Sequence, residues 1–331
     1  MRVLHYGLGP IGLGIARVLL ERGHQIVGAV DIDPAKVGRD LGTLLDGPPL
    51  GVAVTADPAD ALRAGAQVAV HSTGSRLLAV LPQLEALVAA GLHVASTCEE
   101  LAFPWRRHPE VARRLDALAR RRGVTVVGLG VNPGFAMDAL PLLLTAPCGR
   151  VDRIVVERRV DVGRRREQLQ HKVGVGLTPA AFTAGVREGR LGHVGLPESA
   201  AMIADALGWD LTDLEEEIAP LVGPDGLVTG VHQVVRGRRP GDAPEAPSLL
   251  LDLQMAVGLP GRDAVTIHGH PTLQLEVAGG IHGDVATWAI VANALPLILE
   301  APAGLCSVAR LPLLHLTSPS VGGPHGRPQP R

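Results

Sequence analysis

The stretch Arg2-Val3-Leu4-His5-Tyr6-Gly7-Leu8-Gly9-Pro10-Ile11-Gly12 decides the fold. Arg2 to Tyr6 is a short apolar run, and Ile11, Ile15, Val18 and Leu19 recur at helical spacing behind the glycines. A strand, a glycine loop and an amphipathic helix in that order form a phosphate-binding turn. Gly7 permits the tight turn, Gly9 lets a pyrophosphate approach the backbone, and Gly12 lets the helix pack close to the strand. Pro10 and Ile11, inside the loop, are candidate cofactor contacts with the three glycines, and the free amides at the helix N-terminus face the phosphates.

The rest of a dinucleotide fingerprint follows. Gln25 to Val30 reads as the second strand and ends at Asp31, about twenty residues beyond the glycines, where an acid meets the adenosine ribose. An acid there favours NAD, because it repels a 2′-phosphate. Lys36 and Arg39 follow closely and are placed to bind that phosphate, so NAD and NADP both stay open.

Strand and helix signals keep alternating. Val52 to Thr55, Val68 to His71, His93 to Thr97 and Val124 to Val127 are short β-rich runs, with apolar-periodic stretches between them at Ser75 to Ala90 and Pro109 to Arg122. That rhythm predicts a Rossmann-type, doubly wound parallel sheet over residues 1–135. From about Gly134 it changes. Ile154 to Val160, Leu227 to Arg236, Ser248 to Val257 and Leu273 to Val277 read as antiparallel strands, with a helix at Glu198 to Leu207 among them. The expected class is α/β, with a second α+β domain over 136–280 built on an open, mostly antiparallel sheet. A helix at Ala286 to Leu299, within 281–315, returns to the first domain, and a Pro/Gly-rich tail over 316–331 is expected to be disordered.

The bulk properties exclude several classes. The chain has 331 residues and a net charge of -2, so no global field draws nucleic acid or a membrane surface. The arginine runs at 113–114, 120–122 and 164–166 read as solvated faces in a chain whose lysines are Lys36 and Lys172. Cys98, Cys148 and Cys306 are too scattered for a disulfide framework or a zinc cluster. His268, His270 and His282 lack a completing carboxylate pattern, so no metal is expected. With no basic-then-apolar leader and no spanning run of about twenty apolar residues, a cytoplasmic protein is expected.

Ligands of such sheets sit at the carboxyl ends of the strands, so the loops there carry the candidate chemistry. After the fourth strand, Ser72-Thr73-Gly74-Ser75 offers small hydroxyls to the ribose and nicotinamide side of a cofactor, and Ser75 suits a helix cap. After the fifth, Thr97 and Cys98, both candidate cofactor contacts, lead into Glu99 and Glu100, beside Phe103 and Trp105. A carboxylate against an apolar wall serves as general acid/base or holds an ammonium group. In an extended segment neighbours face opposite ways, so one acid faces the nicotinamide, and the sequence leaves open which. After the sixth, Asn132 and Pro133, candidate cofactor contacts as well, sit in a rigid loop that ends at Gly134-Phe135.

At these residues the chain resembles the 2,4-diaminopentanoate dehydrogenases and the related native amine dehydrogenases, and more distantly dihydrodipicolinate reductase and homoserine dehydrogenase. The matching segments are 7–12, 96–105 (STCEELAFPW), 130–135 (GVNPGF), 192–209 (GHVGLPESAAMIADALGW) and 283–296 (GDVATWAIVANALP). The resemblance implies NAD(P)-dependent oxidative deamination of an amine, or reductive amination of a ketone or aldehyde with ammonia. It implies that Glu99 or Glu100 is the catalytic acid, that the second domain covers the nicotinamide, and that the protein is a homodimer.

The residues support that chemistry independently. A primary ammonium with a pKa near ~10.4, like that of lysine, must lose a proton before it loses a hydride, and a partly desolvated carboxylate relays it. Asn132 and the Gly134-Phe135 turn would place the substrate. A substrate carboxylate needs a cation, for which Arg158, Arg159 and Lys172 are candidates. A simple amine needs an apolar pocket, for which Phe135, Met137, Phe182 and Trp288 are candidates. The expectation leans to a simple aliphatic or cyclic amine, with a diamino acid as alternative. Outside enzymes, the alternative is a dinucleotide sensor.

Overall fold

The computed structural model describes residues 1–163 and 165–316, so the expected disordered tail lies, from residue 317 on, outside the described residues. Strands β1 (Arg2–Tyr6), β2 (Gln25–Val30), β3 (Val54–Thr55), β4 (Val68–His71), β5 (His93–Ser96) and β6 (Thr125–Gly128) pair in parallel in the order β3-β2-β1-β4-β5-β6. Their side chains alternate between two cores. Val3, Val68, Val70 and Val127 pack under the helices Pro10–Glu21 and Gly283–Glu300. Leu4, Ala69, Val94 and Val126 pack under Leu77–Ala89 and Pro109–Arg122. A strand buried on both faces needs a continuous apolar run, which is why four or five residues suffice for each.

Three details differ from the sequence expectation, each for a local reason. The third strand is only Val54–Thr55, because the Asp40 carboxylate takes the amides of Leu50 (2.9 Å) and Val52 (3.0 Å) and holds that segment in a turn. The helix after β4 starts at Leu77, and its first amide is capped not by Ser75 but by Glu100, whose Oε2 accepts from Leu77 N at 2.7 Å. A seventh strand, Gly304–Cys306, extends the sheet beyond β6. Asp116 holds it by accepting from Leu305 N at 2.9 Å.

The second sheet comprises β7 (Arg150–Asp161), β8 (Asp213–Val222), β9 (Val228–Arg238), β10 (Leu249–Ala256), β11 (Arg262–His270) and β12 (Leu273–Ala278). Its order is β12-β11-β7-β10-β9-β8, antiparallel throughout except for the β7–β10 pair. Ile154, Val156, Leu251, Leu253 and Val265 bury one face against the helices Pro179–Arg187 and Leu196–Leu207, with Phe182 and Met137 at the centre of that core. Gly283–Glu300 is long and apolar enough to cross a membrane. Here it lies on β5, β6 and the helix Pro10–Glu21, where Gly14 leaves room for the Trp288 indole that a Cβ would strike.

Candidate functional site

The two sheets face each other across a cleft of about 340 Å³ at the carboxyl ends of β1, β4, β5 and β6. Gly9, Pro10 and Ile11 form one end. A Cβ on Gly7 would lie 2.6 Å from the Ser72 carbonyl oxygen, and one on Gly12 would strike the Gly7 carbonyl, so these two glycines close the loop onto its surroundings. Gly9 meets nothing within 4 Å and no side chain caps the helix behind it. That open cradle fits a pyrophosphate against free amides.

Beyond the cleft, at the end of β2, Asp31 accepts from Leu8 N (2.7 Å) and Asp33 N (2.9 Å). Lys36 Nζ lies 3.4 Å from Asp31 and 3.1 Å from Asp33, so its charge is already answered by two acids. Arg39 is exposed. Ser72, Thr73, Gly74, Ser75 and Thr97 line the middle of the cleft. Cys98 does not. It is buried, its thiol donates to the Ser75 carbonyl at 3.3 Å, and burial with the adjacent Glu99 charge pushes its pKa up to about 12, so it anchors the loop instead of meeting a cofactor.

Glu99–Leu101 is a 3₁₀ turn, not an extended segment, and its successive side chains point about a third of a turn apart. The two acids diverge accordingly. Glu99 lines the cleft, with Lys172 Nζ 3.4 Å from its Oε1. Glu100 is buried and fully engaged, accepting from Arg76 (2.9 Å), Leu77 N (2.7 Å) and His108 (3.2 Å). Burial alone would raise its pKa; these three donors outweigh it and hold the carboxyl below the usual range.

The loop after β6 is braced from three directions. Val131 N donates to Thr287 Oγ1 (3.2 Å), Gly134 N donates to Asp138 (2.8 Å), and Ser199 on the helix Leu196–Leu207 donates to the same carboxylate (2.7 Å). Asn132 and Pro133 line the cleft, and the Asn132 Oδ1 is buried without a partner. The turn ahead of that helix fits over them: Gly195, at φ +105°, comes so close that a Cβ would lie 2.5 Å from Pro133 Cδ and 3.1 Å from Glu99 Cβ.

The four side chains expected to form an apolar pocket do not line the cleft. Met137 and Phe182 are fully buried in the core of the second sheet, while Trp288 and Phe135 pack in the core under the first; none lines the cleft. The facing wall mixes Arg158, Arg165, Arg166 and Lys172 with Val160, Leu169, Leu253 and Met255. Arg158 is buried and bonded to Asp263 (2.6 Å) and the Ile281 carbonyl (2.8 Å), and Arg165 pairs with Asp284 (3.0 Å). Arg159, on the next position of the strand, does not line the cleft. His193, missed from sequence although it lies in the GHVGLPES segment, also lines it; burial, together with Lys172 and Arg158, lowers its pKa to about 3. Among the described residues no group of three or more His, Cys, Asp or Glu is placed to hold a metal.

The sequence of the second half matches the 2,4-diaminopentanoate dehydrogenase C-terminal domain over residues 135–321. A curated 2,4-diaminopentanoate dehydrogenase from Acetoanaerobium sticklandii is 32% identical over 337 residues, spanning 95% of this chain and 94% of its own. The chain belongs to the 2,4-diaminopentanoate dehydrogenase family. The amine dehydrogenase of Mycobacterium smegmatis has the same fold at a TM-score of 0.86 and 28% identity, covering 96% of this chain and 98% of that one. An amine dehydrogenase of Streptomyces virginiae is 28% identical over 219 residues, 64% of this chain and 60% of its own. As a member of this family the chain is a nicotinamide-dinucleotide oxidoreductase acting on amines, which overturns the sensor alternative.

Proposed function

We propose that the protein catalyses NAD-dependent oxidative deamination of an amine, and in reverse the reductive amination of the matching carbonyl with ammonia, with Glu99 as acid/base. The observation that carries this is the divergence of the two acids: Glu99 faces the cleft and Glu100 is locked by Arg76, Leu77 N and His108. The nicotinamide, when bound, supplies the hydride acceptor or donor. In the oxidative direction the Glu99 carboxylate holds the substrate ammonium and takes its proton. In the aminating direction it returns a proton as the carbinolamine loses water. Lys172 at 3.4 Å holds the carboxylate in place, and Asn132 Oδ1, unpartnered, is free to accept from the substrate.

Asp31, pinned at the end of β2, supports NAD over NADP. The wall sets Arg158, Arg165, Arg166 and Lys172, each facing an acid of the chain, among Val160, Leu169, Leu253 and Met255, a lining compatible with 2,4-diaminopentanoate and with a plain alkylamine alike. The half-exposed outer face of β7 and β10 supports a homodimer, for which sedimentation of the purified protein is the test.

The deciding experiment compares Glu99→Gln with Glu100→Gln on 2,4-diaminopentanoate and on cyclohexylamine. A general acid/base is worth about 10²–10⁴ in rate, so Glu99→Gln should lose that much in kcat while binding NADH unchanged. Full turnover by Glu99→Gln would exclude the reading.

A further inference from the structure

We infer that Thr73 meets the cofactor as a hydrogen-bond acceptor only, held in that state by a relay of Ser96, His71 and Gln83, and that its partner is a donor on the nicotinamide half of the dinucleotide. The inference does not depend on which amine is turned over.

Hydrogen-bond directions along the relay follow from satisfying every buried group. Ser96 and His71 are both fully buried. Cys98 N donates to Ser96 Oγ at 3.1 Å, so that oxygen already has its backbone donor. Among the described residues the acceptor that meets the Ser96 hydroxyl proton is His71 Nδ1 at 2.8 Å. A neutral imidazole carries one N–H and one lone pair, and burial lowers the His71 pKa to about 4, so the ring is neutral at working pH. With Nδ1 accepting, Nε2 must carry the proton. It lies 2.8 Å from Gln83 Oε1 and 2.9 Å from Thr73 Oγ1.

The Thr73 hydroxyl in turn donates to Gln83 Oε1 at 2.6 Å. Its one proton is therefore spent inside the relay, and what Thr73 shows the cleft is a lone pair. Reversing the relay would leave the Ser96 hydroxyl without a partner, which is costly for a buried group. Thr73 stands on the loop between β4 and the helix Leu77–Ala89, beside Thr97 and Glu99 in the same cleft. Donors on that half of a dinucleotide are the carboxamide N–H₂ and the ribose hydroxyls. His71 and Gln83 are positioning residues here, since neither is placed to touch the ligand.

The relay is testable without turnover. In ¹⁵N-histidine spectra of the free protein, His71 should show a protonated Nε2 and a bare Nδ1. Thr73→Val should weaken NAD⁺ binding by about tenfold, the worth of one buried hydrogen bond, measured by calorimetry. Gln83→Leu should weaken it by a smaller factor and Gln83→Glu, which keeps the acceptor, should restore it. The analogue with an acetyl group in place of the carboxamide then locates the donor. If wild type disfavours it about tenfold and Thr73→Val does not, the donor is the carboxamide; an equal preference in both proteins assigns the ribose hydroxyl. A proton on Nδ1, or Thr73→Val binding NAD⁺ as wild type does, would overturn the proposal.

Discussion

Glu99 and Glu100 are the same residue type on consecutive positions, and their surroundings give them different work. Glu100 caps the helix Leu77–Ala89 and pairs with Arg76 and His108, so its charge is consumed by structure. Glu100→Gln should therefore act on stability. Losing charge-assisted bonds of this kind costs about 2–3 kcal/mol, read as a lower urea midpoint at unchanged slope, with kcat reduced far less than in Glu99→Gln. An unchanged midpoint would mean that Arg76 and His108 find other partners. Asp31 poses a second residue-scale question. Asp31→Asn keeps an oxygen for Leu8 N but removes the negative charge that opposes a 2′-phosphate. The ratio of NADH to NADPH affinity should shrink by about tenfold, measured by fluorescence titration. The acid pair itself was visible in the sequence, but the choice between its members was not, because Arg76 and His108 approach Glu100 only once the chain is folded.

At the scale of elements, the site depends on the turn before the helix Leu196–Leu207 pressing on the loops after β5 and β6. Gly195 makes that contact possible at φ +105°, where a side chain is strained whatever the space. Gly195→Ala should push Pro133 and Glu99 apart, lowering kcat/KM by 10-fold or more, on the order of the effect expected from a misplaced reacting group. NADH affinity should stay near wild type, since the nucleotide loop is elsewhere; a loss of NADH binding would instead implicate the whole first sheet. The same scale shows what the sequence could announce. Strands β1 to β6 were legible because a strand covered on both faces must be an apolar run, and the helices Pro109–Arg122 and Leu196–Leu207 because their buried residues repeat at helical spacing. Strand β8 was not, since Asp213–Val222 carries Glu215, Glu216 and Glu217 in a row, as an edge strand can. Gly304–Cys306 was missed because three residues are too few for any period, and its place is set by Asp116 across the sheet. The substrate wall was misjudged for a related reason: Phe182 and Met137 look like pocket residues in sequence, and only packing shows that the second sheet uses them as its core.

For the whole molecule, the folded state keeps His5 and His71 in the first sheet and His193 between the two sheets neutral, through burial in each case. Their pKa values fall to about 4, 4 and 3 from 6.5. A folded pKa below the unfolded one means that the unfolded chain binds more protons between the two values, so stability must fall as pH drops through that window. The loss begins near pH 6.5 and continues to about pH 4. At pH 5 each histidine costs about 2 kcal/mol relative to pH 8, or about 6 together. Buried Glu198, Glu216 and Asp138, whose pKa values burial raises, work in the opposite sense as they take up protons. Total stabilities of about 5–15 kcal/mol leave little margin against such a loss. The protein should unfold cooperatively well above pH 4, with a urea midpoint that drops steeply between pH 6.5 and 5. Saturating NADH should shift the curve upward through binding to the native state alone. A midpoint that stays level from pH 8 to pH 5 would show that water reaches these rings in the native state.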